Sequence, residues 1–203
     1  CLARDDILKA REVIANSDFL LLQNELPIET LFTAVELATE VNTRVLLNPA
    51  PAGNFEPSLL EQVYVLTPNE GEAAVIAGLV NASPQELAQK IHKQGVKRVI
   101  ITLGERGVLV SEEGNGVQLE AMRVRAVDST GAGDTFSAAL AVSLAQGLEL
   151  INAAQYAVVA SGLTVMNRGV MASMPTKEAV ACYQTLDKEK KGGRILMVNR
   201  EYM

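Results

Sequence analysis

Asp128-Ser129-Thr130-Gly131-Ala132-Gly133-Asp134-Thr135 stands between an apolar, strand-like run and a helical pattern of small residues that starts near Gly133. Glycines at a helix start let backbone N–H groups converge on one point. With the helix dipole they form a site for a phosphate or a developing anionic oxygen. Asp134 falls in the first turn, beside that cradle. A carboxylate so placed can accept a proton from an attacking hydroxyl while the amides stabilise charge on a transferring phosphoryl group. The plainer alternative is a helix capped after a glycine turn, with Asp134 only complementing the dipole. The segment lacks the Gly-Lys-Ser/Thr ending of a P-loop and the Gly-x-Gly-x-x-Gly spacing of a dinucleotide fold.

Outward from this segment, short apolar runs alternate with helical stretches, the pattern of an α/β fold with a mostly parallel sheet flanked by helices. Upstream, a helix is expected over about residues 5 to 16 and a buried strand over Asp18 to Gln23. A second helix opens at Pro27, and Arg44 to Leu47 reads as the next strand, followed by the loop Asn48-Pro49-Ala50-Pro51-Ala52-Gly53. Val63 to Leu66 is a third apolar run. After it come helices at about 70 to 77 and 84 to 94, and then a strand over Arg98 to Thr102. Gly107 to Ser111 and Gly116 to Glu120 flank a polar turn and predict an antiparallel hairpin at one edge of the sheet. Downstream, helices are expected at about 133 to 146, 149 to 165 and 176 to 184. Lys188 to Gly193 reads as a charged linker, so residues 185–203 are expected to form a tail.

The 203 residues are 48% apolar and 21% charged, which excludes disorder for most of the chain and fits one domain with a tail. No apolar run approaches the ~18 residues of a membrane span, and Arg4, Asp5 and Asp6 stand where a signal peptide would need an apolar core. A net charge of −6 argues against a nucleic-acid or anionic-membrane partner. Cys1 and Cys182 lie at opposite ends without metal-ligand spacing, the pattern of reduced thiols in a cytoplasmic protein. The lone histidine, His92, sits between lysines on an expected helix and reads as a solvated surface residue. A chain that opens on Cys1 reads as a processed product or a fragment.

Asp128, Thr130, Gly131, Ala132, Gly133 and Asp134 resemble the C-terminal signature of the ribokinase, or PfkB, family of carbohydrate kinases, with Ser129 where threonine is commoner. Other segments match in the same order. Asn69-Glu70-Gly71-Glu72 is similar to the family's Asn-x-x-Glu element, and Thr102-Leu103-Gly104-Glu105-Arg106-Gly107 to its nucleotide-contacting strand end. Asn48 to Ala52 is similar to a segment of ribokinases, and the likeness runs from about residue 5 to about 184. It implies a three-layer, Rossmann-like α/β domain over residues 1–184 and a cytoplasmic enzyme that transfers phosphate from ATP to a sugar primary hydroxyl. Ribose is the favoured sugar, with fructose-type sugars, deoxyribose and nucleosides as alternatives.

By the same resemblance, Asp134 is the general base and the amides of Gly131, Ala132 and Gly133 form the anion hole. Asn69 reaches the phosphates and Glu72 orders Mg2+ and its waters. Their i, i+3 spacing also fits a helix cap with its reciprocal partner. The stretch from Thr102 through Leu103, Gly104, Glu105 and Arg106 to Gly107 would line the nucleotide. Asp128, the carbonyls of Thr130, Thr164, Asn167 and Gly169, and the Ser173 hydroxyl would form a monovalent cation site, usually K+. Glu25, in Gln23-Asn24-Glu25, would face the sugar, or else be a surface-loop carboxylate. Family members carry further strands, a β lid used in dimer contact and sugar-gripping Gly-Gly and Asp elements ahead of the segment matched here. Two readings follow: the catalytic portion of a sugar kinase, active together with that N-terminal portion, or a non-catalytic fragment that binds nucleotide or another subunit.

Overall fold

The computed structural model describes residues 2–53 and 55–191, with side chains as far as residue 184. In chain order these form α1 (Arg4–Lys9), α2 (Arg11–Ala15), β1 (Phe19–Gln23), α3 (Ile28–Glu40), β2 (Arg44–Asn48), α4 (Pro57–Leu60) and β3 (Val65–Leu66). There follow α5 (Glu70–Ala77), α6 (Pro84–His92), β4 (Arg98–Thr102), β5 (Val108–Glu112), β6 (Asn115–Leu119), α7 (Ala132–Ala145), α8 (Leu150–Thr164) and α9 (Lys177–Lys191).

Among the described residues the strands make one six-stranded sheet in the order β1-β2-β3-β4-β5-β6. β1 to β4 run parallel, and β5 and β6 close the edge as the expected antiparallel hairpin. Because side chains alternate across a strand, β2 sends Val45 and Leu47 to one face and Leu46 to the other, and all three are buried. The first face packs against α3, α5 and α6 through Leu31, Val35, Ala73 and Ile91. The second face, with Val65, Ile100 and Val110, packs against Phe136, Leu140, Ala153 and Ala157 of α7 and α8. The small residues that gave α7 and α8 their pattern let these two helices lie close together on the sheet. This is the three-layer α/β/α fold expected from the sequence.

Four local expectations are corrected. The single helix over 5 to 16 is broken at Ala10 (φ −83°, ψ 4°) into α1 and α2, each of which buries one isoleucine, Ile7 and Ile14. α4 is a single turn opened by Pro57 that was not anticipated; it buries Leu59 and Leu60. The run before Asp128 forms no strand: it lies along the end of α8, where the Val127 and Asp128 amides donate to the Val165 carbonyl at 2.7 and 3.2 Å. Gly162 leaves the space that Met122 fills there, since a Cβ on it would stand 2.7 Å from that side chain. α9 continues to Lys191, so part of the expected linker is helical. Cys1 and residues 192–203 of the expected tail lie outside the described residues.

Candidate active site

The parallel strands all deliver their C-terminal ends to one side of the sheet, where α/β folds bind ligands. Gly131 is the N-cap of α7, in the left-handed region (φ 79°). A Cβ there would lie 3.0 Å from Val170 Cγ1, so both the conformation and the close approach of the 169–170 loop call for glycine. The Ala132 amide donates to the Ser129 carbonyl at 3.2 Å; among the described residues no backbone acceptor takes the Gly131, Gly133 or Asp134 amides. Around Gly133 there is open space. Asp134 is exposed in the first turn, and its Oδ1 accepts a 2.7 Å hydrogen bond from Gln23 Nε2 at the end of β1. Behind it, the Thr67 and Ser137 hydroxyls meet at 3.5 Å and join the end of β3 to α7.

Asn69 and Glu72 form the capping box that their spacing allowed. Asn69 Oδ1 accepts from the Glu72 amide at 2.9 Å and Glu72 Oε2 accepts from the Asn69 amide at 2.8 Å. A β-bridge sets Asn69 against Thr102, whose amide donates to the Pro68 carbonyl at 2.9 Å. A 3₁₀ turn, Gly104–Arg106, follows β4, and Arg106 pairs with Glu70, so the strand end and the α5 start face each other. Gly104 (φ 60°) opens on free space, whereas a Cβ on Gly107 (φ 88°) would run into the backbone of residues 119–121. Gly107 is therefore required by packing, and buried Leu103 belongs to the core rather than to an open surface. Beside Glu105 and Arg106 lies a cleft of about 700 Å³, also lined by Glu120, Arg123 and Arg125.

Asp128 Oδ1 accepts from the Thr130 amide (3.0 Å) and hydroxyl (2.7 Å), and Oδ2 from the Gly169 amide (3.3 Å). These bonds, led by the Thr130 hydroxyl, hold its carboxyl below the usual range. Thr164 is fully buried, and its hydroxyl bonds Thr135 and the Ala160 carbonyl, tying the end of α8 to α7. Its carbonyl takes the Asn167 amide at 3.2 Å. The buried Ser173 hydroxyl donates to the Val170 carbonyl at 2.7 Å. Asp128, Thr130 and Gly169 thus form one knot, with Thr164, Asn167 and Ser173 on the chain that leads into and out of it. Among the described residues no three His, Cys, Asp or Glu side chains cluster as metal ligands.

Glu25 lies exposed on the turn after β1, and no hydrogen bond engages it among the described residues. No local pattern foretells the role of Asn24, which donates from its backbone amide to the Ala50 carbonyl (2.9 Å) and from Nδ2 to the Pro51 carbonyl (2.8 Å). His92 is not the solvated residue expected. It is half-buried, with Nδ1 2.7 Å from the Val96 carbonyl and Nε2 2.8 Å from Ser111 Oγ, and it joins α6 to β5. Among the described residues no helix is long and apolar enough to cross a membrane.

Residues 3–177 match the family described as pfkB family carbohydrate kinase. A ribokinase of Haemophilus influenzae is 35% identical over 168 residues, 81% of this chain and 55% of its own length. One of Staphylococcus aureus is 34% identical over 180 residues, 87% of this chain and 59% of its own length. The chain thus spans little more than half of these relatives. Among solved structures, Arabidopsis thaliana ribokinase complexed with ribose and ATP superposes with a TM-score of 0.80 at 29% identity, covering 89% of this chain and 59% of that one. Thermotoga maritima ribokinase superposes with a TM-score of 0.80 at 32% identity, covering 86% and 59%.

Proposed function

The chain belongs to the pfkB family of carbohydrate kinases, and from that premise we propose that it carries the nucleotide-binding and phosphoryl-transfer portion of an ATP-dependent sugar kinase, with ribose the favoured acceptor. The observation that carries the reading is Asp134 in the first turn of α7, next to amides of Gly131 and Gly133 that no backbone acceptor occupies among the described residues. A substrate primary hydroxyl attacks the γ-phosphorus of ATP, its proton passes to the Asp134 carboxylate, and ADP leaves. The α7 amides lower the energy of the charge that builds on the transferring oxygens. Asn69 and the turn after Thr102 hold the nucleotide phosphates and ribose. The cleft beside Arg106 has the volume of an ordinary ligand pocket.

The donor set also fits the two cations of the family. Glu72 keeps Oε1 outside its capping box, and one carboxylate suits Mg2+, which retains most of its waters; bound there, the ion would neutralise phosphate charge. The Asp128 carboxyl, held ionised by its hydrogen bonds, suits a K+ site shared with nearby carbonyls and the Ser173 hydroxyl. Glu25 reaches the sugar in this reading. The exposed thiol of Cys182 suits a reducing, cytoplasmic setting.

A second reading, a nucleotide-binding fragment without turnover, draws on the share of the relatives' length that the chain spans. Calorimetry of MgATP on residues 1–203, followed by ribose-dependent ADP release in the same sample, separates the two. Binding with turnover supports a kinase complete in this chain, binding alone supports a nucleotide-competent portion, and absence of binding overturns both.

A further inference from the structure

Gln23, we propose, is the positioning residue of the catalytic carboxylate: it fixes Asp134 through Oδ1 so that Oδ2 faces the acceptor hydroxyl. The inference rests on the reading of Asp134 as the base. An ionised carboxylate only accepts hydrogen bonds, so the atom of Gln23 that meets it at 2.7 Å must be the Nε2 amide. Among the described residues no other side chain bonds the Asp134 carboxylate, which stands exposed at a helix start and would otherwise sample several rotamers.

Gln23 is well held for this task. It is the last residue of β1, in register with Asn48 of β2. The next residue, Asn24, is bonded twice to the 50–51 segment, and Gly53 leaves room for it, since a Cβ there would stand 2.7 Å from Asn24 Nδ2. The strand end is thereby pinned to its neighbour, and the glutamine side chain reaches Asp134 at the start of α7, 111 residues further along the chain. A base left to wander by an ångström loses rate without losing substrate affinity.

The test uses Gln23→Met, which keeps side-chain length and removes the donor, and Asp134→Asn, whose Oδ1 still accepts from Gln23. In the full polypeptide that carries residues 1–203, Gln23→Met is expected to lower kcat about 10- to 100-fold. KM for ATP and the unfolding midpoint should stay within twofold and about 2 °C. Added to Asp134→Asn, the same change should lower the residual rate by less than twofold, because the group it positions is already gone. A wild-type kcat in Gln23→Met, with Asp134→Asn inactive, overturns the role of Gln23 alone. A fall in stability matching the fall in rate reduces Gln23 to a structural tie. Full activity in Asp134→Asn overturns the base reading, and the positioning role with it. Independently of turnover, the Gln23 side-chain amide resonances of residues 1–203 should move on Asp134→Ala; unmoved resonances refute the contact.

Discussion

Replacing Glu72 by alanine and, separately, by glutamine divides its two roles. In the structure Oε2 closes the capping box on the Asn69 amide while the Glu72 amide is held by Asn69 Oδ1, and the side chain is only 9% exposed. Alanine removes a charge-assisted bond at a helix start, about 1–2 kcal/mol for the cap, and a favourable charge near the α5 dipole, about 0.3–1 kcal/mol. The sum is about 2 kcal/mol. Glutamine keeps an acceptor at N3, as capping boxes allow, and loses only the charge, about 0.5 kcal/mol. For a chain of this size about 1 kcal/mol moves the midpoint by 2–4 °C, so alanine should lower it by about 6 °C and glutamine by about 1–2 °C. Thermal unfolding without nucleotide measures this difference. Magnesium titration of ATP binding should instead treat the two variants alike, both needing more Mg2+ for half-saturation. Equal destabilisation by both variants refutes the cap reasoning, and an unchanged magnesium requirement in both refutes the metal role.

Gly107→Ala should destabilise by about 3 kcal/mol or more, because the added methyl meets the backbone of the hairpin's exit, whereas Gly104→Ala, with open space around it, should cost about 1–2 kcal/mol of left-handed strain. Urea unfolding ranks them, and equal losses would show that the Leu119–Ala121 contact does not matter. The Asp128 carboxyl is lowered in the folded state, so its contribution to stability is present above the unfolded value of about 3.9 and is lost as pH falls through the lower folded value. The midpoint difference between wild type and Asp128→Asn should therefore be full near pH 6 and close below about pH 4; a gap constant from pH 3 to 6 contradicts the Thr130 and Gly169 bonds as its source. Potassium should raise sugar-dependent ADP release above sodium in the full polypeptide, and an equal rate in both salts counts against the site at Asp128 and Ser173.

The sheet was legible because the parallel strands β2, β3 and β4 are buried on both faces and so read as unbroken apolar runs, as Val45 to Leu47 does, between helical patterns. Asn69 with Glu72 announced a helix start, and that capping box is present; Ser83 with Glu86 forms a second one in the structure. The break at Ala10 carries no such signal, since alanine favours helix. Residues 121–127 alternate like a strand but lie against α8 at Gly162, a tertiary contact that local pattern cannot reveal. The candidate site divides the same way. Asn69, Glu72 and the α7 start are local devices with fixed spacing, while the Gln23 contact to Asp134 and the two partners of His92 depend on elements far apart in sequence.

The central claim, that Asp134 is a base set beside a nucleotide site, is tested most directly by Asp134→Asn in the full polypeptide, with MgATP affinity from calorimetry and sugar-dependent ADP release measured on the same preparation. Asparagine keeps the hydrogen bond from Gln23 and removes only the proton acceptor. The account predicts unchanged ATP affinity and turnover lost by at least about 100-fold, within the range of a general base. Turnover near that of the wild type, or affinity lost in step with it, would contradict the account.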